Sequence, residues 1–215
     1  MIDTTDHADT KSRILDAAEQ LFANNGIDAT SLRSIIAEAG VNLAAVHYHF
    51  GSKEQLLRSV LGRRLRPINE QRLAALAEAE QEAANEPIAV GKLVEIFFAP
   101  MVELAEAKWV FGILLGRVLA EPEFFFGKVA PEEFKEVRQA FRAAFQESLP
   151  ELPEDELFWR LMLGIGAAAH IFRAAPFMPQ LSDGVCNQPT KNELLGRLVH
   201  FVGAGLQAPL GEVSR

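Results

Sequence analysis

Residues 30 to 56, TSLRSIIAEAGVNLAAVHYHFGSKEQL, hold two short helical patterns joined by Ala39-Gly40-Val41 and followed at once by a third capped start. Leu32, Ile35, Ile36 and Ala39 recur at the three- and four-residue steps that put side chains on one buried stripe, and Thr30 or Ser31 can cap that helix. Arg33 is left on the outer face. Gly40 falls where the helix must stop: without a Cβ it enters the left-handed conformation freely and lets the chain turn sharply, with Val41 plugging the turn. Asn42 is a good N-cap for a second helix whose inward face is Val46 and Phe50, leaving Leu43, Ala44, Ala45, His47 and Tyr48 largely outside. Gly51 ends that helix, and Ser52-Lys53-Glu54-Gln55 reads as a capping box for the next.

This spacing is what a DNA-reading helix-turn-helix requires. Small residues such as Ala44 and Ala45 let a helix approach base edges closely in the major groove. Lys53 sits in a helix's first turn, where backbone N–H groups and an ammonium together can hold a phosphate.

The run AGVNLAAVHYHFGSKEQLL, with the preceding ILDAAEQLFANNG and the Thr/Ser-Leu-Arg start, resembles the helix-turn-helix of the tetracycline-repressor (TetR) family of bacterial one-component regulators, over roughly residues 10 to 58. The resemblance implies an all-α chain, with an N-terminal three-helix DNA-binding domain and a larger helical domain for ligand binding and dimerisation. Carried over position by position, it implies Arg33 as a base or phosphate contact and Asn42, Leu43, Ala44, Ala45 and His47 as base-facing. Tyr48 and His49 would face the backbone, and Lys53 would clamp a phosphate. Members often carry Ser or Thr, then Gly and Thr or Ala, then an aromatic where this chain has Asn42, Ala44, Ala45 and His47, which bears on the operator sequence and not on the fold. The run NLAAVHYHFGSKEQLL, with Arg66-Pro67 nearby, is also similar to the branch containing fatty-acid-responsive regulators, which implies an acyl chain or acyl thioester as effector.

Simpler roles stand beside these. His49 either packs or bonds a phosphate, and Tyr48 either faces DNA or covers the small domain's core. His47 and His49 point about 200° apart on a helix and cannot jointly hold one metal.

At 215 residues the chain suits a small N-terminal domain and a larger one, divided here as a flexible arm over 1–9, a DNA-binding domain over 10–66 and an effector-binding and dimerisation domain over 67–215. The acidic, polar start MIDTTDHADT excludes a secretory signal and reads as a mobile arm. No uninterrupted apolar run reaches the ~18 residues of a membrane span, so no membrane partner is expected. Cys186 is the only cysteine, which leaves no internal disulfide or thiolate cluster and suits a reducing cytoplasm. The net charge of −8 is unevenly spread: residues 10–66 carry eight Lys/Arg against five Asp/Glu (+3), and residues 67–215 carry 13 against 21 (−8). A mildly basic head on an acidic body orients the molecule on a phosphate surface.

Pro67 disfavours helical continuation at Arg66 and marks a junction where a connecting helix would kink. Beyond it the body reads as helix: Ala-rich 69–84, amphipathic 88–107 with a kink at Pro100, apolar 109–119, amphipathic 132–148, apolar 154–175 and amphipathic 190–206. Residues 121–131, around Phe124-Phe125-Phe126, read as a loop or broken helix whose large apolar groups need cover. The stretch LFWRLMLGIGAAAHIF is apolar nearly all round, which requires burial on several sides, and its small residues admit a close neighbour. In the family it resembles, the last two long helices pair with those of a second copy. A homodimer is expected independently, because one reading helix makes too few base contacts, whereas two placed 34 to 36 Å apart read successive major grooves.

Candidates for an effector site are Phe97, Phe98, Met101, Trp109, Phe111, Phe141, Phe145, Trp159, Met162, His170 and Phe172. Each is ordinary core by default, but helical proteins place mostly apolar ligand sites between helices. His170 is either the polar fixture of such a site or a core histidine bonded to a carbonyl. The scarcity of ionisable groups in these stretches favours a hydrophobic or amphipathic effector.

The leading function is a ligand-controlled DNA-binding repressor, not an enzyme, with a double-stranded operator, a homodimer partner and no cofactor or metal. A small helical enzyme on a lipid-like substrate, with His170 as acid or base, is the second reading, and an architectural DNA-binding protein the third. No Gly-rich phosphate loop, metal-ligand spacing or evident nucleophile and base pair supports the second.

Overall fold

Apolar residues spaced three and four apart become helix along the chain, and no strand occurs among the described residues. The computed structural model describes residues 4–107, 109–119 and 121–210, with the side chains of 4–8, 105–107, 109 and 122 outside that description. The chain divides into two compact units, one of residues 1–67 with 108–133, the other of 68–107 with 134–215.

The first unit begins with α1 (Thr4–Asn25). The acidic start expected to be a mobile arm is therefore helical from Thr4 onward, while residues 1–3 lie outside the described part. Asp6 and Asp9 occupy the early turns of this helix, where the helix dipole favours negative charge over coil. There follow α2 (Leu32–Ala39), α3 (Leu43–Phe50) and the first half of α4 (Lys53–Ala83). Ile14, Ala18, Phe22, Ile35, Val46, Phe50, Leu57 and Leu61 are buried there. The unit also takes in α6 (Trp109–Leu119), which packs on α1, a three-residue α7 (Pro122–Phe124), a π-turn over Phe125–Val129, and α8 (Ala130–Glu133). Of the three consecutive phenylalanines, Phe125 is buried and Phe126 is half exposed, the two rings meeting edge to face with 5.2 Å between centroids.

Pro67 lies inside α4 and does not end it. Its fixed φ is itself helical, so the helix passes through with one backbone hydrogen bond fewer. The division between the two units falls immediately after it.

The second unit contains the remainder of α4, α5 (Val90–Ala107), α9 (Lys135–Ser148), α10 (Glu154–Ala174), α11 (Met178–Leu181) and α12 (Lys191–Gln207). Thr190 and Glu193 form a capping box that starts α12, which packs mainly on α5 and also on α10. At the α10–α12 crossing a Cβ on Gly164 would lie 2.8 Å from Val202 Cγ1, so only glycine permits that approach.

The all-round apolar α10 is not buried on several sides within this chain. Leu157, Gly164 and Ala168 face inward, whereas Phe158, Trp159 and Leu163 are exposed, with Trp159 at 66%. Small residues take the packed side because α12 comes so close, and this turns the aromatic side outward. By length and composition residues 154–181, with mean hydropathy 1.4 over 18 residues, are apolar enough to cross a membrane, although Arg160 and Arg173 interrupt the apolar run.

Candidate nucleic-acid interface

Local chemistry sets the angle between α2 and α3. Ser31 caps α2, its Oγ accepting from Ser34 N–H at 3.0 Å while Ser34 Oγ accepts from Ser31 N–H at 3.1 Å. Thr30 does not cap it. Buried at the end of α1, its hydroxyl donates toward the carbonyls of Gly26 (2.7 Å) and Leu21 (3.0 Å). Gly40 ends α2 in the left-handed region (φ 62°, ψ 38°), and its N–H and that of Val41 satisfy carbonyls at the end of the helix.

Arg13 completes this turn from α1. Its Nη2 donates to Ala39 O at 2.6 Å and to Gly40 O at 3.1 Å, and a Cβ on Gly40 would lie 2.9 Å from the same nitrogen. A cation at a helix C-terminus is favoured by the helix dipole. Sequence reasoning missed Arg13, since no spacing rule links residues 26 apart.

Asn42 caps α3, its Oδ1 accepting from Ala45 N–H at 2.9 Å. Val46 and Phe50 face the core of the unit, as their spacing predicts. The opposite side presents Leu43 (55% exposed), Ala44, His47 and Tyr48 (79% exposed), with Ala45 and His49 half-buried. Tyr48 therefore does not cover the core. Its ring meets that of His49 edge to face at 5.1 Å. His47 Nδ1 lies 3.1 Å from Gly51 O, so that nitrogen carries a proton and donates. Arg33 projects from α2 into solvent. Lys53 opens α4, half-buried, and its Nζ donates to Asp28 O at 3.2 Å. One helix face thus collects Leu43, Ala44, His47 and Tyr48, while Ala45 and His49 lie half-buried to its side, Asn42 caps the helix, and Arg33 and Lys53 stand on the neighbouring elements.

The platform behind that face is tied by charge. Glu19 on α1 is 5% exposed and accepts from Arg63 Nη2 at 2.6 Å and from Arg64 at about 3 Å, both on α4. Arg63 also reaches Asp16 at 2.8 Å. Arg58–Glu132, Arg66–Glu133 and Lys128–Glu54 join α4 to the segment from the π-turn to α8.

The expected effector residues scatter. Phe98, Phe141 and Phe145 are buried in the core of the second unit, and Phe97, Met101, Met162 and Phe172 are half-buried there. Phe97, Phe98 and Phe145 line a seam with Val94, Leu161, Ile165 and Val202, whose void of about 10 Å³ is barely the size of one water. Three candidates belong elsewhere. Trp159 and His170 lie on the outward side of α10 and are exposed, so His170 is neither a pocket fixture nor a core histidine. Phe111 is buried in the first unit, on α6. The side chain of Trp109 lies outside the described residues.

Comparison with known proteins places this geometry. Residues 14–60 match the family described as bacterial regulatory proteins, tetR family, and residues 95–205, a little over half the chain, match the tetracyclin repressor-like C-terminal domain. The transcriptional repressor BepR of Brucella suis is 38% identical over 68 residues, 32% of each chain. The nicotine-responsive repressor HdnoR of Paenarthrobacter nicotinovorans is 27% identical over 94 residues, 44% of this chain and 46% of that one. The matched parts thus span from just under a third to just under half of these relatives. A crystal structure from Shewanella sp. PV-4, described as of a tetR family transcription regulator, superposes with a TM-score of 0.63 at 17% identity, over 89% of this chain and 97% of that one. The likeness to that structure is one of fold, and with matches to both domains of the family this chain belongs to the TetR family of bacterial transcriptional regulators.

Proposed function

We propose that this protein is a cytoplasmic transcriptional repressor that binds an operator as a homodimer through α3 and is released by a hydrophobic or amphipathic small molecule. The observation that carries the DNA-binding part is the outward face of α3, where Leu43, Ala44, His47 and Tyr48 stand exposed on a helix fixed by Ser31, Gly40, Asn42 and the Arg13 clamp. Bulk-free Ala44 and Ala45 let the helix enter the groove, and Arg33 and Lys53 flank it as base or phosphate contacts.

The dimer rests on the outward face of α10 and its neighbour. Phe158, Trp159 and Leu163 on α10 and Phe201 on α12 are all more than half exposed. Contiguous large apolar groups in water mark a surface that is covered. The same face accounts for the apolar stretch 154–181 without a membrane: Gly164 and Ala168 are packed against a capped amphipathic helix, and Glu154, Asp155, Glu156, Arg160 and Arg173 punctuate the segment. DNA binding lies with residues 10–66 and effector binding and dimerisation with 67–215, of which 108–133 are packed into the unit that holds α3.

Binding to duplex DNA over a salt series tests this. Lys53→Ala is expected to weaken all sequences alike and to reduce the salt slope by ~1, and Arg33→Ala to cost ~1 to 3 kcal/mol and relax sequence preference where it reads a base. Unchanged affinity and slope for Lys53→Ala would remove its role as a clamp. A uniform loss for Arg33→Ala would make it a phosphate contact.

A further inference from the structure

The second unit buries a cation, and no carboxylate among the described residues pairs with it. Arg72, on α4, is 2% exposed, and it continues the stripe of Ile68, Asn69, Leu76 and Ala79 that α4 turns inward. Its Nε donates to Phe97 O at 2.7 Å and its Nη1 to Asn69 Oδ1 at 3.1 Å. The guanidinium carbon lies 4.2 Å from the centroid of the Phe97 ring. All three partners are neutral, and among the described residues no carboxylate bonds Arg72. Other arginines of the same unit differ: Arg160 has Glu156 and Arg142 has Glu154. Desolvation pushes the Arg72 pKa down to about 10, which leaves it a cation at neutral pH. A buried charge without a counter-ion is costly, so a fold that keeps one is complementary to an anion.

The Phe97 ring beneath the guanidinium also lines the apolar seam among α5, α9, α10 and α12. A cationic fork thus stands beside an apolar slot, and Nη2 is used by neither Phe97 O nor Asn69. We propose that this slot binds a single-chain amphiphile with a carboxylate head, its tail parting the seam and its head paired with Arg72. This deepens, and rests on, the reading of the chain as a ligand-released regulator. A void of about 10 Å³ marks the closed form, so the ligand selects an opened one, and its differential affinity sets how far the population moves. Pro100 removes one backbone bond from α5 close to Phe97, which lowers the cost of opening on that side. A guanidinium offers paired donors that match a carboxylate, so the head group provides discrimination that an all-apolar slot lacks.

Calorimetric titration of the full chain with decanoate, decan-1-ol and decyltrimethylammonium, each below its micelle concentration, tests the assignment. All three tails open the same seam, so opening cancels in the comparison. Decanoate is expected to bind about tenfold or more tighter than the alcohol, and the ammonium weakest. Arg72→Gln, which keeps a neutral donor for Phe97 O, is expected to bind decanoate and decan-1-ol equally; Arg72 serving only to staple α4 to α5 would lower Tm without erasing a head-group preference. Equal binding of decanoate and alcohol by the wild type, binding of neither, or a preference that survives in Arg72→Gln would overturn the proposal. Should Arg72→Gln fail to fold, the wild-type comparison decides alone. Retention of duplex DNA from a random pool separates the two readings: a protein that holds DNA but ignores decanoate keeps the regulator assignment and loses this one, and a protein that holds no DNA loses the regulator assignment itself.

Discussion

Each of the two units buries a formal charge deep among apolar side chains, and the two treat it in opposite ways. In the first, Glu19 is gripped by Arg63 and Arg64, its charge over-compensated and its oxygens occupied. In the second, Arg72 has a carbonyl, an amide oxygen and a ring face. The contrast matches two tasks. A surface that reads base edges must hold one geometry, and polar groups at the α1–α2–α3 junction have fixed partners: Ser31 with Ser34, Thr30 with Gly26, Arg13 with Ala39 and Gly40. A core that responds to a small molecule, as proposed, must be able to gain by changing, and a buried cation met by no carboxylate among the described residues would provide that gain.

The largest effect that would break this contrast lies at Glu19. Glu19→Ala leaves Arg64 without its carboxylate and Arg63 with only the exposed Asp16, both cations being about three-quarters buried, and is expected to cost about 2 to 4 kcal/mol, read as a lower denaturant midpoint. A cost under about 0.5 kcal/mol would class the network with surface ion pairs and remove the notion of a locked head. Gly40→Ala comes next. It forces an alanine to φ 62° and pushes on Arg13 Nη2, with an expected cost of about 1 to 2 kcal/mol and a matching loss of DNA affinity, measured by thermal melting and duplex binding. Melting temperature lowered with DNA affinity intact would show that the turn stabilises α3 without aiming it.

The smallest effect is expected at Arg72, and its smallness sharpens the comparison. Arg72→Met removes a charge that folding disfavours, so stability at pH 7 should change by about 1 kcal/mol or less, or rise. The sign follows from the lowered pKa: below about pH 10 the folded state carries the full penalty of the buried cation, and that penalty is relieved as pH rises through 10. The gap between Arg72→Met and wild type should therefore narrow in favour of the wild type at alkaline pH. A loss of 3 kcal/mol or more on denaturant unfolding would make Arg72 a structural staple and erase the difference between the units.

The head was legible in the sequence because local rules decide it. Ser31, Gly40, Asn42, Gly51 and Ser52 act within four residues of themselves, and the inward pair Val46 and Phe50 follows from helical period alone. What stayed hidden there spans distance: Arg13 meets Gly40 across 27 positions, and residues 108–133 join this unit from the middle of the chain. The second unit was less legible because a helix apolar all round shows no face. In α10 the choice is made by Gly164 against Val202, which turns Trp159 and His170 outward. Arg72 could have been found, since a lone cation in register with Ile68, Leu76 and Ala79 interrupts an otherwise inward stripe, but an Ala-rich stretch reads first as helix propensity and only then as a face.

On the proposed function, the outward face of α3 reads duplex DNA, two copies at a time. Incubating the purified chain with a random duplex pool at low ionic strength, then sequencing what it retains, tests this most directly. An inverted repeat whose half-sites lie about 10 base pairs apart, or a multiple of that, is expected, and its loss when Leu43, Ala44 and His47 are replaced together by glutamate. Retention of no duplex, or of sequences indifferent to those replacements, would contradict it.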